Sequence, residues 1–188
     1  MSSRILIPIA PGCEELEAVT MINLFRRAGF TVITATLADQ VGPVTCARGT
    51  LIIPETTLDQ VMANEFDLLA LPGGQPGTNN LMADDRVLSL VRSMAGKGRH
   101  IAAICAAPMV LGKAGILEGK SATSYPGSLE KMALKNVRIK DAPVVIDGRI
   151  ITSRGPGTAM DFSLEIIEIL ADTATRKSVE AGLQRPCS

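Results

Sequence analysis

Residues 100–112 read HIAAICAAPMVLG. After the leading histidine the first part is apolar, with none of the polar alternation of a half-exposed strand. It therefore predicts a strand (100–104) buried on both faces. Cys105 follows, then small residues, then a short helical stretch over 107–115. The same pattern recurs along the chain. "RILIPI" (4–9), "TVITATL" (31–37) and "DLLALPGG" (67–74) are apolar runs, the last ending in a glycine turn. Helical periodicities lie between them, at 15–29 with Gly29 as a stop and at 84–98 with a second glycine stop. "VTCAR" (44–48) and "LIIP" (51–54) are short and predict an edge hairpin. "VVIDGRIITS" (144–153) sets Asp147-Gly148 between two β runs, a hairpin signal. Residues 157–170 read as a helix with Gly157 or Thr158 near its cap, and the tail from about 171 as a peripheral turn of helix or a frayed end. Buried strands alternating with helices predict one doubly wound α/β domain over 1–188, a mostly parallel sheet with helices on both faces.

The 188 residues suit one domain, and 46% hydrophobic with 20% charged residues is a globular balance. Such a chain buries roughly 70% of its unfolded surface, so its core needs no disulfides. Nineteen basic residues are matched by nineteen acidic ones, which argues against specific nucleic-acid binding. The four cysteines (Cys13, Cys46, Cys105, Cys187) form no CxxC pair, and the single histidine argues against a zinc site. Free thiols in such a chain point to a reducing, cytoplasmic setting. "MSSRILIPIAPGCEE" reads as a first strand and not as a signal peptide. No apolar run approaches the roughly 20 residues that span a bilayer.

Open parallel sheets bind ligands beyond the carboxyl ends of their strands. That edge collects "APGCEELE", "PGGQPG" and Cys105. Free cysteine is often a small buried hydrophobe. Here a strand, small flanking residues and a helix start make the tight elbow of a nucleophile, with free N–H groups that favour a thiolate. The only histidine, His100, lies five extended residues upstream, about 16 Å away. That distance argues against a Cys–His dyad within the chain, and so against papain-like protease and glutamine amidotransferase chemistry. The remaining partner is a carboxyl, kept protonated beside the thiolate. Glu14, Glu15 and Glu17 are all candidates; acids in a first helical turn also simply complement the dipole, and spacing does not choose among them. Gly73 and Gly74 can offer amides to an oxyanion, with that of Ala106 assisting; the plainer reading is a strand-to-helix turn. Neither GxGxxG nor a Walker loop is present, so no nucleotide cofactor is expected. "SRGPGT" (153–158) reads as a tight turn into the last helix.

"GCEELEAV", "RRAGF", "TCARG", "LPGG", "AAICAAP" and "TSRGPGTAMDF" occur in the order seen in the ThiJ/PfpI superfamily, and the chain most resembles bacterial members of its Parkinsonism-associated deglycase (DJ-one) branch. The resemblance covers about residues 4–170 and implies the flavodoxin-like, class I glutaminase-like form of the doubly wound fold. It implies that Cys105 is the oxidisable nucleophile, that Glu17 is the carboxyl bonded to it, and that Gly73 and Gly74 line an oxyanion pocket. It further implies that Arg27 and Arg48 stand near that pocket at a homodimer interface, and that no cofactor or metal takes part. One departure is clear. Where the family often has a histidine before proline, Tyr125 stands in "TSYPGS", and a phenol of pKa about 10 is a poor base at neutral pH.

Three functions follow as expectations. The first is a cofactor-independent glyoxalase or deglycase that turns glyoxal, methylglyoxal or early glycation adducts into 2-hydroxy acids. The second is an oxidative-stress sensor or redox chaperone using the same cysteine. The third is amidase, protease or isonitrile hydratase-type chemistry, which the absent histidine disfavours. Cys13 can resolve an oxidised Cys105 if the two are close, although a small loop residue is the simpler reading. Cys46 is expected at the interface or half buried, and Cys187 exposed and incidental.

Overall fold

The structure is a computed structural model that describes residues 2–185. In chain order it contains β1 (Arg4–Ile9), α1 (Glu15–Arg27), β2 (Thr31–Thr36), β3 (Val44–Thr45), β4 (Leu51–Ile52), β5 (Thr56–Thr57) and α2 (Leu58–Val61). It continues with β6 (Leu68–Leu71), α3 (Gln75–Ala83), α4 (Asp85–Gly96), β7 (His100–Ile104), α5 (Pro108–Ala114), β8 (Ser121–Ala122) and β9 (Arg138–Ile139). The last elements are β10 (Val144–Asp147), β11 (Ile150–Ser153), α6 (Ala159–Leu170) and α7 (Thr173–Gly182).

The main sheet has the order β10-β11-β7-β6-β1-β2-β5. Every neighbouring pair is parallel except the hairpin β10–β11. The expected doubly wound, mostly parallel sheet is therefore present. The lack of polar alternation has a direct cause. Ile5, Ile7 and Ile9 of β1 pack with Leu68, Ala70, Ala102 and Ile104 against Met21 and Phe25 of α1 and Phe162 and Ile166 of α6. The intervening residues Leu6, Leu69, Leu71, Ile101 and Ala103 pack on the other face against Leu81, Val91, Val110 and Leu111 of α3, α4 and α5. Successive strand side chains point to opposite faces, so two covered faces demand an unbroken apolar run. Each such side chain, once fully buried, contributes about 1.5–3 kcal/mol.

Both expected hairpins form. β3 pairs antiparallel with β4 as a separate ribbon, and β10 pairs with β11 in the register Asp147↔Ile150. The second turn is thus centred on Gly148-Arg149, one residue later than the Asp-Gly pair suggested. Five elements were not foreseen, the single-turn α2 among them. α3 begins inside the glycine-proline segment, because Pro76 sits in its first turn, where the missing N–H costs no helical bond. Strands β5, β8 and β9 are two residues long, too short to carry a period. The tail is also more than one turn. α7 has ten residues, capped by Asp172 accepting from the Thr175 N–H at 2.7 Å. Arg176 ties it to Glu165 and Glu168 of α6.

The order of strands places the site. Connections leave β1 and β6, which are neighbours, in opposite directions, so a crevice opens between their carboxyl ends. The loop after β1 and the start of α3 close on each other there. A Cβ at Gly77 would lie 2.6 Å from both Cα and N of Cys13, which is backbone and cannot rotate away. Alanine in a helix normally gains about 1 kcal/mol over glycine. At Gly77 the sign reverses: Gly77→Ala is expected to lower unfolding free energy by about 1–3 kcal/mol, read by urea denaturation. A neutral or stabilising result would mean that the two segments are not in contact.

Candidate active site

Cys105 follows directly on β7 and has φ +62°, a left-handed conformation unusual for a side chain with a Cβ. Such backbone costs about 1–3 kcal/mol and persists only where neighbours hold it. Here they do: the Cys105 N–H donates to the Ser153 carbonyl at 3.0 Å, and the Tyr125 N–H donates to the Cys105 carbonyl at 2.7 Å. The chain therefore turns sharply at the sheet edge, and Cys105 is left 8% exposed.

The three acids of "CEELE" part company because of helix geometry. Glu14 caps α1, and Glu15 and Glu17 lie about 200° apart around its axis. Glu15 turns toward the β3–β4 ribbon, where its carboxylate accepts from the Arg48 N–H at 3.0 Å and the Thr50 N–H at 3.4 Å. Glu17 turns inward and is fully buried. Its Oε2 accepts from the Gly73 N–H at 2.7 Å. Its Oε1 has no conventional N–H or O–H partner, and the Cys105 thiol stands beside the carboxyl, placed to share a hydrogen with it. Gly73 must lack a Cβ to let them meet. An added carbon there would lie 2.6 Å from Cys105 Cβ and 2.9 Å from Glu17 Oε2.

Burial pushes the Glu17 carboxyl up to about 7, against the Gly73 N–H, which favours the charged form. Burial and then the negative charge of Glu17 push the Cys105 thiol up to about 12, while the N–H groups of Gly74 and Ala106 pull it down. The sequence suggested a thiol depressed by a helix terminus. The reason it is raised is that α5 is only seven residues long and starts three positions beyond Cys105, so its field is outweighed by burial and a facing carboxylate. Transfer of the thiol proton to a Glu17 carboxylate would give a thiolate here. Such a transfer would remove the repulsion and leave the net charge of the pair unchanged, and the Gly74 and Ala106 amides face the sulfur.

The other anticipated residues fall as follows. The Gly73 amide is committed to Glu17, leaving those of Gly74 and Ala106 for an oxyanion. Gly74 has φ +83° and lies against Gly12 and Glu14, so this amide is held by close backbone packing. Tyr125 touches the elbow through its backbone, with its ring against Gly155 and 53% exposed. Arg48 reaches the site's surroundings through its backbone, and its side chain is exposed. Arg27 is ten residues beyond Glu17 on α1, about 15 Å along the axis, and bonds Asn23 at 2.8 Å. It is not brought to the pocket of its own chain. His100 lies at the far end of β7, in a cavity of about 480 Å³ with Asp67, Arg99 and Arg149. Its Nε2 is 3.0 Å from Arg149 Nη1, and burial holds its pKa below the usual value. Cys13 and Cys46 meet each other, Sγ to Sγ 3.6 Å, both buried. Sequence reasoning missed this contact, because residues 33 apart in two irregular loops share no period. Cys187 lies outside the described residues.

The family model described as "DJ-1/PfpI family" matches residues 3–169. Protein dj-1beta of Drosophila melanogaster is 44% identical over 183 residues, covering 97% of each chain. Its crystal structure superposes with a TM-score of 0.94 at 43% identity over 100% of both chains. A Caenorhabditis elegans protein named glutathione-independent glyoxalase DJR-1.2 is 36% identical over 169 residues, 90% of this chain and 88% of its own. The structure titled "Toxoplasma gondii DJ-1, oxidized" superposes with a TM-score of 0.91 at 31% identity, covering 99% of this chain and 100% of that one.

The raised Glu17 carboxyl makes stability depend on pH. Unfolded, the group ionises near 4.5; folded, it keeps its proton until about 7. Its contribution is complete below the unfolded value, falls as pH rises between the two, and is lost above the folded value. Glu17→Gln keeps the shape without the charge. The unfolding free energy of wild type relative to Glu17→Gln is expected to fall by about 3 kcal/mol between pH 4.5 and 7.5 in urea titrations. A constant difference would show that the buried proton is not on Glu17.

Proposed function

The chain belongs to the DJ-1/PfpI family, and on that premise we propose that it is a cofactor-independent glyoxalase or deglycase acting on small α-oxoaldehydes through Cys105. The observation that carries the reading is the constellation at the elbow. A cysteine held at φ +62° has a protonatable, buried carboxyl on one side and two backbone amides on the other. The name of the nematode relative, a glutathione-independent glyoxalase, agrees with it.

In this mechanism the thiol proton passes to Glu17, and the sulfur attacks the aldehyde carbon of methylglyoxal. The resulting hemithioacetal oxygen lies toward the Gly74 and Ala106 amides. Glu17 returns the thiol proton to the hemithioacetal oxygen and, a carboxylate again, takes the C1 hydrogen as a proton and delivers it to C2; with the C1 hydroxyl proton passing to the C2 oxygen, the product is a lactoyl thioester. Water then cleaves the thioester, releasing lactate and the thiol. C1 is oxidised and C2 reduced within one molecule, so no hydride acceptor is required. Glyoxal gives glycolate in the same way, and an early glycation adduct presents the same carbon to the sulfur. The presence of free thiols suits a cytoplasmic setting. Among the described residues no helix is long and apolar enough to cross a membrane.

The partner we propose for this protein is a second copy of the chain. Leu16 and Val19 share one exposed face of α1, which Glu15 ties to the ribbon carrying exposed Leu51, and Ile53 follows at its end. Such an apolar patch on a charge-balanced surface suits a homodimer contact. Val19→Asp is expected to give a monomer in sedimentation analysis at concentrations where wild type is a dimer; a monomeric wild type would remove the proposed dimer.

A second use of the same thiol, oxidation to a sulfinic acid as part of stress sensing, is favoured by the oxidised state named for the Toxoplasma relative. Lactate formed from methylglyoxal in an amine- and thiol-free buffer decides between the two. Wild type is expected to form lactate, Cys105→Ser to form none, Glu17→Gln to lose about 10²–10⁴-fold, and Tyr125→Phe to remain within severalfold of wild type. If wild type forms no lactate, or Cys105→Ser forms as much, the enzymatic reading fails and sensing takes its place.

A further inference from the structure

Cys13 and Cys46 belong to no step of that chemistry, yet their sulfurs are in contact at 3.6 Å. We propose that these two thiols are a second oxidation site, which closes into a reversible disulfide within one chain and is independent of Cys105.

The backbone around both residues is fixed in a way that keeps the sulfurs facing. The Gly12 N–H donates to the Thr45 carbonyl and the Ala47 N–H donates to the Cys13 carbonyl, each at 2.8 Å, so the two loops are stitched together on either side of the pair. Cys46 is held again by its own N–H on the Thr50 carbonyl at 2.8 Å, inside the turn that Glu15 clamps. Behind Cys13 the chain rests on Gly77 and Gly74. A disulfide needs a sulfur separation of about 2.05 Å. The remaining 1.5 Å or so is within reach of small rotations about the two Cα–Cβ bonds. The bond would also suit its surroundings, since both sulfurs sit in the apolar cluster with Ile9, Met21 and Val44. Replacing two S–H groups by S–S leaves no polar group unpaired there.

The chemistry balances with a hydroperoxide as oxidant. Cys46 is the member to react first. It lies in the short ribbon whose strands are two residues each, the kind of element that opens locally. Burial raises both thiols, and at Cys46 the contact with Cys13 works against that rise. The Cys46 thiolate attacks a peroxide oxygen, the O–O bond breaks, and a sulfenic acid forms with release of an alcohol or water. The Cys13 sulfur attacks that sulfenic sulfur, losing its proton, and water leaves. Two thiols have given two electrons to one peroxide. An external dithiol reverses the reaction by exchange.

The test uses the full chain carrying Cys105→Ser and Cys187→Ser, so that only the pair remains and the result is independent of any activity at Cys105. After hydrogen peroxide, thiol titration is expected to fall from two per chain to none and to return to two with dithiothreitol. Tryptic mapping without reductant is expected to find peptide 5–26 joined to peptide 28–48. The melting temperature of the oxidised protein is expected to rise by roughly 5–10 °C, because the link closes a loop of more than thirty residues in the unfolded chain. Cys13→Ser in the same background should form no link within the chain. Two thiols still titrating after peroxide, a link between two chains, or a lower melting temperature on oxidation would each overturn the proposal.

Discussion

A carboxyl with no access to water, held by one backbone N–H, is the constraint around which this molecule is organised. Glu17 is buried between α1, the loop after β6 and the elbow after β7, and Gly73 donates to it at 2.7 Å. Burying such a group is costly unless it is hydrogen-bonded or neutral. Both remedies are used: one oxygen has the Gly73 amide, and burial keeps a proton available to the other up to about neutral pH. A buried group that titrates near 7 is well matched to moving protons at neutral pH. The expense of placing it there is borne by the apolar layers on either face of the sheet.

Three segments must converge within van der Waals distance for this to work, and the residue types at the convergence reflect it. Gly73 has no room for a side chain, and Gly77 rests on the Cys13 backbone. Cys105 is held in a left-handed turn by hydrogen bonds from both flanking segments, β11 and the Tyr125 turn. The strained residue is therefore the one that faces the buried carboxyl. The amide of Gly74, the neighbour of Gly73, faces the sulfur, so adjacent amides in one loop serve the acid and the thiol separately.

The acids of the first helical turn divide the same way. Glu17 faces inward to the thiol, and Glu15 faces outward to clamp the ribbon of β3 and β4. That ribbon bears exposed Leu51 on its outer side and Cys46 on its inner side. One helix start thus links the Cys105 elbow, the exposed apolar face and the Cys13–Cys46 contact. A two-residue step along a helix is enough to separate these duties, since it turns the side chain through about 200°.

The architecture was legible in the sequence because a buried parallel sheet has a local signature: unbroken apolar runs bounded by helical periods and glycine stops. The elbow was legible too, since strand, cysteine and small residues lie next to one another in the chain. Even the irrelevance of His100 to Cys105 follows from counting extended residues. Elements without a period escaped. The two-residue strands carry no period, α3 is hidden by its own glycines and proline, and α7 shows only a weak one because just Val179 on it is buried. What separated Glu17 from Glu14 and Glu15 by geometry was the direction in which α1 packs, which no spacing encodes; the family resemblance pointed to the same residue by another route. The raised thiol, the commitment of the Gly73 amide and the meeting of Cys13 with Cys46 depend on distances between segments far apart in the chain. The sequence by itself determined the layers and the residue at the elbow, because those follow from local period and local turn chemistry. The tertiary structure decided which acid faces the thiol, which way burial shifts both groups and which cysteines touch, because burial and Coulomb energies depend on separations in space.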